Sequence, residues 1–202
     1  ACDYTRHNNV LKAIQKRGLS DLISAAILRE VAKPRGLIKL GDLATTEPIC
    51  RNRSLWQGDP LAPKLFNSTL DDVAEIFNSE ARKRRWGWPY EVEGKTCYLS
   101  LICFADNYWI LSTSPQELER ANIFWQSLLK DAGWHTPAAD MTYATTADDH
   151  LYTNCEVKYG GAIIKRSPKA IGFNALGTQI TFVIRHDAEL NRRTKAAWEA
   201  FH

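Results

Sequence analysis

The sequence predicts an α+β fold with a mostly antiparallel sheet. One observation is that apolar residues recur at helical spacing in four separate segments of the chain. A second is that short apolar runs are joined by tight turns rich in Gly, Asp and Asn, which is typical of β-hairpins. Two helices come first and the strands are then interleaved with further helices. We therefore expect helices that back a sheet of hairpins.

The first two helices are predicted from their apolar faces and end signals. Gly18 is placed to end the first helix, and Ser20 is placed to cap the second, which ends before Pro34. The predicted buried faces comprise Val10, Leu11 and Ile14 in the first helix, and Leu22, Ile23, Ala26, Ile27 and Val31 in the second. Residues 33–55 mix Pro, Gly, Lys, Thr and Arg, which favours short strands and loops.

The third and fourth helices carry clearer signals. The third begins near Pro63 and ends in the basic run Arg82–Arg85. The fourth begins with a capping box, formed by Ser114 and Glu117, and ends at Gly133. Their predicted buried faces are Phe66, Leu70, Val73 and Phe77, and Leu118, Ala121, Trp125, Leu128 and Ala132.

Between these helices the pattern changes to that of strands. Tyr90–Val92 and Thr96–Ala105 predict a hairpin that turns at Glu93-Gly94. The second strand is apolar on both faces, so we expect it to be covered on both sides. It breaks at Asp106-Asn107 and resumes in Tyr108–Leu111, which predicts a second hairpin with those two residues as its turn.

The C-terminal part of the chain predicts more hairpins and a last helix. Glu156–Lys165 suggests a hairpin that turns at Gly160-Gly161. Leu176–Ile184 is predicted to be a strand, and Asp187–Phe201 a helix.

Composition limits the classes of protein. The chain has 202 residues, of which 45% are hydrophobic and 24% charged, and this excludes global disorder. No apolar run approaches the roughly 18 residues of a membrane span, so we expect no membrane partner. A net charge of +3 permits a nucleic-acid partner without requiring one. Five scattered cysteines without a C-x-x-C pair argue against a disulfide framework or a zinc site. They favour a reducing, intracellular location, in the nucleus or the cytoplasm, over secretion.

Two segments could carry chemistry. Asp106 is a carboxylate at the tip of a hairpin, which is a rigid and exposed place for a metal ligand. The alternative is an ordinary Asp-Asn turn without chemistry. Arg53–Asn67 is a segment with a loop that contains Gly58 and leads into a helix, where the backbone can approach a ligand closely. The alternative is a helix-entry loop stiffened by two prolines.

In combination the two segments resemble reverse transcriptases of the non-LTR retrotransposon type. Gln57–Asn67 is similar to the family pattern Q-G-D-P-L-S-P-x-L-F-N, and Phe104–Asn107 is similar to F/Y-A-D-D. Ala1-Cys2-Asp3, with His7 nearby, resembles the end of the family's D-x-x-x-A-F-D motif. The remaining similarities, in the family's order, are Ala132–Trp134 after the fourth helix, Leu176–Ile180 as the primer-grip strand, and Arg192, Ala197, Trp198 and Phe201 in the first thumb helix.

The resemblance implies a polymerase palm and the beginning of a thumb, without fingers. Residues 1–173 would form an N-terminally truncated palm, and residues 174–202 the primer-grip strand and the start of the thumb helix. The implied activity is nucleotidyl transfer, in which deoxynucleoside triphosphates extend a DNA primer on an RNA template. The implied site residues are Asp106 as Mg²⁺ or Mn²⁺ ligand with Asn107 beside it, Gln57, Gly58 and Cys2 at the nucleotide and template, and Leu176 and Gly177 in the primer grip.

Three departures from the family pattern bear on activity. The family's first motif Asp would lie before Ala1, Cys2 stands where Phe or Tyr is usual, and Asn107 replaces the second Asp of the hairpin. An amide can ligate a hard cation, but it lacks the charge that holds two dications together. We therefore expect this chain to lack polymerase activity unless an upstream Asp is supplied by a longer reading frame, which the start without Met suggests.

Two alternatives remain beside the polymerase. One is a non-catalytic nucleic-acid-binding or scaffold domain derived from the same fold. The other is an unrelated α+β domain, which would hold the two motifs far apart.

The basic run Arg82–Arg85 beside Trp86 and Trp88 could bind phosphates and stack bases, or act as a nuclear address. A solvated helix end is the commoner role of such a run.

Overall fold

The computed structural model describes residues 4–32, 35–36, 39–41, 43–44, 49–50, 53–56, 58–147, 156–183 and 187–201. These residues fall into two units: the first lies within residues 1–111 and 124–135, and the second within 112–123 and 136–202. Both units mix helices with small, mostly antiparallel strand pairs, which confirms the α+β fold class. The predicted division into residues 1–173 and 174–202 stays a prediction.

The N-terminal helices form where they were predicted, but the second exposes part of its apolar stripe. Helix α1 (His7–Lys16) buries Val10 and Ile14. Helix α2 (Asp21–Ala32) begins after Ser20, whose hydroxyl accepts the N–H of Ile23 at 3.4 Å. The buried positions of α2 are Ser24 and Val31, whereas Leu22 is 83% and Ile23 52% exposed. The predicted stripe is therefore wrong at its N-terminal end, because α2 packs through the side that carries Ser24.

Short strands follow, as the composition of residues 33–55 predicted. Strands β1 (Arg35–Gly36), β2 (Lys39–Leu40), β3 (Leu43–Ala44) and β4 (Ile49–Cys50) each contain two residues. β1 pairs with β4 and β2 pairs with β3, both antiparallel.

Helix α3 (Ala62–Arg84) is the central element of the first unit. Its predicted apolar face is buried at all four positions, Phe66, Leu70, Val73 and Phe77. The ring of Phe77 lies 5.4 Å from that of Trp125, in an edge-on arrangement that adds to the stabilisation from burial alone. The helix ends at Arg84, and the residue after it, Arg85, adopts a left-handed φ of 56°.

Four strands and a helix complete the first unit. They are β5 (Trp88–Val92), β6 (Lys95–Leu99), β7 (Leu101–Phe104), β8 (Asn107–Ile110) and α4 (Pro115–Ala132), which extends into the second unit. β5 and β6 form the predicted hairpin with its turn at Glu93-Gly94, and β7 pairs with β8. The strand predicted over residues 96–105 is divided at Ser100, which is buried and accepts the N–H of Leu111 at 3.0 Å.

The predicted capping box of α4 is present on the Ser114 side, but the Glu117 carboxylate has a different partner from the one expected. The Ser114 hydroxyl accepts the N–H of Glu117 at 3.2 Å, as a capping box requires. The Glu117 carboxylate accepts the hydroxyl of Thr113 at 3.1 Å and its N–H at 3.4 Å, so its partner is Thr113 instead of Ser114. Gly133, at a φ of 90°, follows the end of the helix as predicted.

The second unit is built from short strands and a final helix. Its elements are a 3₁₀ turn (Ala138–Asp140), β9 (Thr142–Tyr143), β10 (Lys158–Tyr159), β11 (Ala162–Ile163), β12 (Lys165–Arg166), β13 (Phe173–Ala175), β14 (Thr178–Ile180) and α5 (Asp187–Phe201). The hairpin of β10 and β11 turns at Gly160-Gly161 as predicted. β9 and β12 pair in parallel beside a core of Met141, Val157 and Ile164.

Candidate functional site

The loop before α3 holds Gly58 in an open position. Gly58 has a φ of 90°, and a Cβ added there would meet no atom within 4 Å. The positive φ favours glycine, and the open space permits the close approach that the sequence predicted. The Asp59 carboxylate accepts the N–H of Leu61 at 2.8 Å and so fixes the entry into α3. Gln57 lies outside the described residues.

The N-terminal segment stabilises this loop. The N–H of Ser54 donates to the carbonyl oxygen of Thr5 at 3.0 Å, and the His7 imidazole Nε2 lies 3.1 Å from the Ser54 carbonyl oxygen. Ser54 has a φ of 102°, which is strained for a residue with a Cβ, so these bonds hold an unusual backbone. The buried hydroxyl of Thr5 in turn accepts the indole N–H of Trp134 at 3.3 Å.

This arrangement places three sequence segments together in the first unit. The residues after Asp3, the loop before Gly58 and the residues after α4 meet at Thr5, Ser54 and Trp134. All three segments resemble family motifs in the sequence, but Thr5 and Ser54 themselves were missed. Neither residue is apolar or lies in a family motif, so no feature of the sequence marked them. In the structure, the left-handed φ of Ser54 distinguishes that residue. Cys2 lies outside the described residues.

Asp106 lies at the tip of the β7–β8 hairpin and is exposed. The register pairs Phe104 with Asn107, so the two turn residues are Ala105 and Asp106. The predicted turn at Asp106-Asn107 is therefore wrong by one residue, and Asn107 is the first residue of β8. Ala105 takes the left-handed φ of 50° that the tight turn requires.

One face of this hairpin packs on the helices of the first unit. The Tyr108 hydroxyl accepts the side-chain N–H of Gln126 at 2.7 Å, and the Tyr108 ring lies 5.5 Å from Trp125. Burial raises the pKa of the Cys103 thiol to about 11, and the negative charge of Asp71 on α3 contributes. Cys103 therefore stays a neutral thiol at physiological pH and is a packing residue.

The other face of the hairpin is open, which contradicts the prediction that this strand is covered on both sides. Ile102 is 44% and Phe104 60% exposed. Among the described strands β7 pairs with β8, and the face that carries Ile102 and Phe104 is exposed. The apolar pattern of residues 98–105 thus marks an uncovered face beside Asp106, where the sequence alone suggested a central strand.

The described residues do not form a site for a pair of metal ions. Within them, no group of three His, Cys, Asp or Glu side chains is placed to hold a metal. At the hairpin tip the donors are the Asp106 carboxylate and the Asn107 amide, of which one is charged. Two dications need more negative charge than this set supplies.

Leu176 and Gly177, the predicted primer-grip residues, form the turn between β13 and β14. Their φ angles are 50° and 79°, typical of a tight hairpin turn, so the strand predicted over residues 176–184 is wrong at its start. Gly177 is held by α5, because the Arg192 guanidinium donates to its carbonyl oxygen. Whether these residues contact a primer stays a prediction.

Glu189 is a further residue of this corner that sequence reasoning missed. Its carboxylate accepts the N–H of Gln179 at 2.7 Å and binds Arg192 at 3.0 Å, so it ties α5 to β14. The hydrogen bonds from Arg192, Gln179 and Arg193 lower the pKa of Glu189 to about 2. The spacing of Glu189, Arg192 and Arg193 was the available signal, since residues three and four apart meet on a helix.

A charged cleft between α1 and α3 is explained by its ion pairs. It is lined by Lys16, Arg17, Asp71, Asp72, Ala74, Glu75, Asn78 and Arg82. Lys16 contacts Glu75 at 2.6 Å and Asp72 at 3.1 Å, and Arg17 contacts Asp71 at 3.2 Å. These pairs join the end of α1 to α3, so the cleft has a structural role.

Comparison with known proteins links the chain to mobile elements. Two Retrovirus-related Pol polyproteins from type-1 retrotransposable element R2 of Popillia japonica are similar to it. One is 34% identical over 73 residues, which make up 36% of this chain and 10% of that protein. The other is 29% identical over 111 residues, 55% of this chain and 17% of that protein. The chain is related to retrotransposon Pol polyproteins.

This relation is partial. The matched residues are 10% and 17% of the lengths of the R2 polyproteins, so the chain corresponds to a small part of them. No protein-family model matches the chain. Among the described residues, every helix is too short or too polar to cross a membrane.

Proposed function

We propose that the chain is the palm and the start of the thumb of an RNA-directed DNA polymerase from a non-LTR retrotransposon. The observation that carries this proposal is the pair of motifs in the first unit, with Gly58 at the entry to α3 and Asp106 at the tip of a hairpin whose Tyr108 packs on α4. The similarity to R2 Pol polyproteins supports it. RNA template, DNA primer and deoxynucleoside triphosphates are the proposed partners.

The proposed roles of Gly58, Asp106, Leu176 and Gly177 follow from their positions, and those of Gln57 and Cys2 follow from the motif resemblance alone. The open space above Gly58 gives an incoming nucleotide access to the backbone. Asp106 is the proposed carboxylate ligand for Mg²⁺ or Mn²⁺, with Asn107 beside it. Leu176 and Gly177, in a turn held by Arg192, would contact the primer strand. Contacts to a nucleic-acid backbone do not depend on base sequence.

This chain by itself is proposed to bind a primer–template without extending the primer. One carboxylate and one amide at the hairpin tip cannot hold two metal ions against their mutual repulsion. The same observation favours the second candidate function, a non-catalytic nucleic-acid-binding or scaffold domain derived from a reverse transcriptase.

Primer extension and duplex binding test the proposal together. The 202-residue chain is mixed with a labelled DNA primer on an RNA template, deoxynucleoside triphosphates and Mg²⁺ or Mn²⁺, and its affinity for the same duplex is measured. We expect binding without extension. We expect the same from Asn107→Asp, because this change adds charge at the same tip and supplies no opposing ligand.

Two results would contradict parts of the proposal. Extension that Asp106→Ala abolishes, while Asp131→Ala on exposed α4 surface leaves it intact, would refute the inactivity of the isolated chain and assign catalysis to Asp106. Failure to bind the RNA–DNA duplex at physiological salt would refute the polymerase-derived function itself.

A further inference from the structure

The end of α3 and the β5–β6 hairpin together form a surface that the proposed polymerase does not use. We call it the basic–aromatic surface, and it consists of Arg85, Trp88, Tyr90 and Lys95. All four side chains are exposed. The surface belongs to the first unit and lies on a hairpin other than the one that carries Asp106.

A buried anchor fixes the position of this surface. The Trp86 side chain is buried, its ring lies 6.3 Å from that of Phe124, and its backbone N–H donates to the carbonyl oxygen of Ala81 at 2.9 Å. Gly87 packs against backbone, because an added Cβ would lie 2.6 Å from the carbonyl oxygen of Leu99. Arg85 and Trp88 flank this anchor in the chain, so the end of α3 and the start of β5 are held in place on either side of it.

The aromatic groups share one face of the hairpin, and that face carries no acidic residue. Alternation along a strand puts Trp88, Tyr90 and Val92 on one side of β5 and Pro89 and Glu91 on the other. The cross-strand partners on the first side are Leu99, Cys97 and Lys95, respectively. Glu91 accepts the hydroxyl of Thr96 at 2.7 Å on the opposite side. Trp88 is 55% and Tyr90 45% exposed, which leaves both rings available for stacking.

One of the four basic residues at the helix end is available to an anion. Arg84 contacts Glu80 at 2.6 Å and lies over the Trp86 ring, and Lys83 contacts Glu80 at 3.6 Å. Arg82 lines the charged cleft between α1 and α3, where its charge acts on Glu75, whereas Arg85 has no ion pair within the described part of the chain. Basic residues at a helix C-terminus also interact favourably with the helix dipole. That interaction explains the arginines but not the exposed rings beside them.

We infer that the basic–aromatic surface binds single-stranded nucleic acid. Arginine and lysine attract the phosphates, and aromatic rings stack on unpaired bases of any sequence. Residues two apart on a strand are separated by about 6.8 Å, which is about twice the 3.4 Å step between stacked bases. This spacing leaves room for one base between the Trp88 and Tyr90 side chains. A base pair within a duplex has its faces covered by its neighbours and cannot enter in this way.

Fluorescence anisotropy with labelled single-stranded RNA, over a range of salt concentrations, tests this inference. Trp88→Leu keeps an apolar side chain but removes the ring, and we expect it to weaken binding about ten-fold. Trp88→Phe keeps a ring and should lose much less. Because each phosphate contact on a single strand contributes about 0.7 to the slope of log affinity against log salt, Arg85→Glu with Lys95→Glu should lower that slope by about 1.4 or more.

A charge-matched variant and a duplex probe make the test specific. Lys12→Glu with Arg29→Glu makes the same change in net charge on exposed helix surface away from the hairpin. We expect this pair to retain binding, and we expect Trp88→Leu to retain affinity for an RNA–DNA duplex. Equal losses in the charge-matched variant, equal losses for the duplex, or no loss in Trp88→Leu would each overturn the inference. So would self-association of the chain that Trp88→Leu abolishes while RNA binding is unchanged.

The outcomes also separate this surface from the proposed polymerase function. Asp106→Ala is not expected to change the affinity for single-stranded RNA, since Asp106 is on a different hairpin. If the chain binds single-stranded RNA through Trp88 but binds no duplex, the polymerase-derived function fails and this inference stands. If the chain binds the duplex but not single-stranded RNA, this inference fails and the polymerase-derived function stands.

Discussion

Replacing Gly87 by alanine tests how closely the β5–β6 hairpin is packed against the end of α3. Gly87 has a φ of 112°, and an alanine Cβ there would lie 2.6 Å from the carbonyl oxygen and 2.7 Å from the carbonyl carbon of Leu99. The unfavourable φ costs about 1–2 kcal/mol. The overlap adds about 1–3 kcal/mol, because the obstacle is backbone and cannot rotate away. Gly87→Ala should therefore lower the free energy of unfolding by about 2–5 kcal/mol.

Gly94 provides the matched control within the same hairpin. It has a φ of 73°, but an added Cβ would meet nothing within 4 Å. Gly94→Ala should therefore show only the cost of the φ angle, about 1–2 kcal/mol. Urea denaturation followed by circular dichroism measures both variants. Equal destabilisation of the two, within about 0.5 kcal/mol, would refute the close approach of Gly87 to Leu99.

Two further predictions concern titratable groups. Because hydrogen bonds lower the pKa of Glu189 to about 2 from its ordinary 4.5, its contribution to stability should be fully present above about pH 4.5 and lost as the pH falls toward 2. Glu189→Gln should reduce this acid sensitivity in thermal unfolding between pH 2 and 6, and an unchanged pH profile would contradict the role of Glu189. Asp71→Asn should lower the pKa of the Cys103 thiol slightly, because burial is the larger cause of its high value. The pH dependence of iodoacetamide alkylation at Cys103 measures this change; Asp72→Asn is the control, and an equal shift in both variants would count against a specific effect of Asp71.

Features that depend on a few neighbouring residues were predictable. The cap at Ser114, the stop at Gly133 and the turn at Gly160-Gly161 are confirmed. Each is decided within one turn of the chain, by a side chain that reaches a nearby N–H or by a glycine that accepts a positive φ. The long apolar face of α3 is confirmed for a related reason, since its helical period repeats over many residues.

Features that depend on packing between distant parts of the chain were not predictable from the sequence. An apolar pattern shows that a face favours burial, but it does not show which element covers it, so Leu22 and Ile102 are exposed. The hairpin turn is one residue earlier than predicted because register is set by the side that packs, where Tyr108 meets Gln126. Leu176 was assigned to a strand because its apolar character outweighed the turn signal of the glycine after it.

The candidate site shows the same division. The sequence indicated Gly58, Asp106 and Gly177, because their residue types and order match a family pattern. It did not indicate the contacts that position them, such as the bond from Ser54 to Thr5 or from Arg192 to Gly177. Gln57 and Cys2 lie outside the described residues, so their roles stay predictions.

The sequence by itself determined the helices, most turns, and a kinship with retrotransposon Pol proteins, because each depends on local chemistry or on the order of short motifs. Only the tertiary structure decided which apolar faces remain uncovered and which polar groups meet. It left the rings of Trp88 and Tyr90 exposed on one hairpin, and it placed Asp106 at the tip of another. The physical reason is that burial and hydrogen bonding join residues far apart in the chain, where no local pattern records the partner.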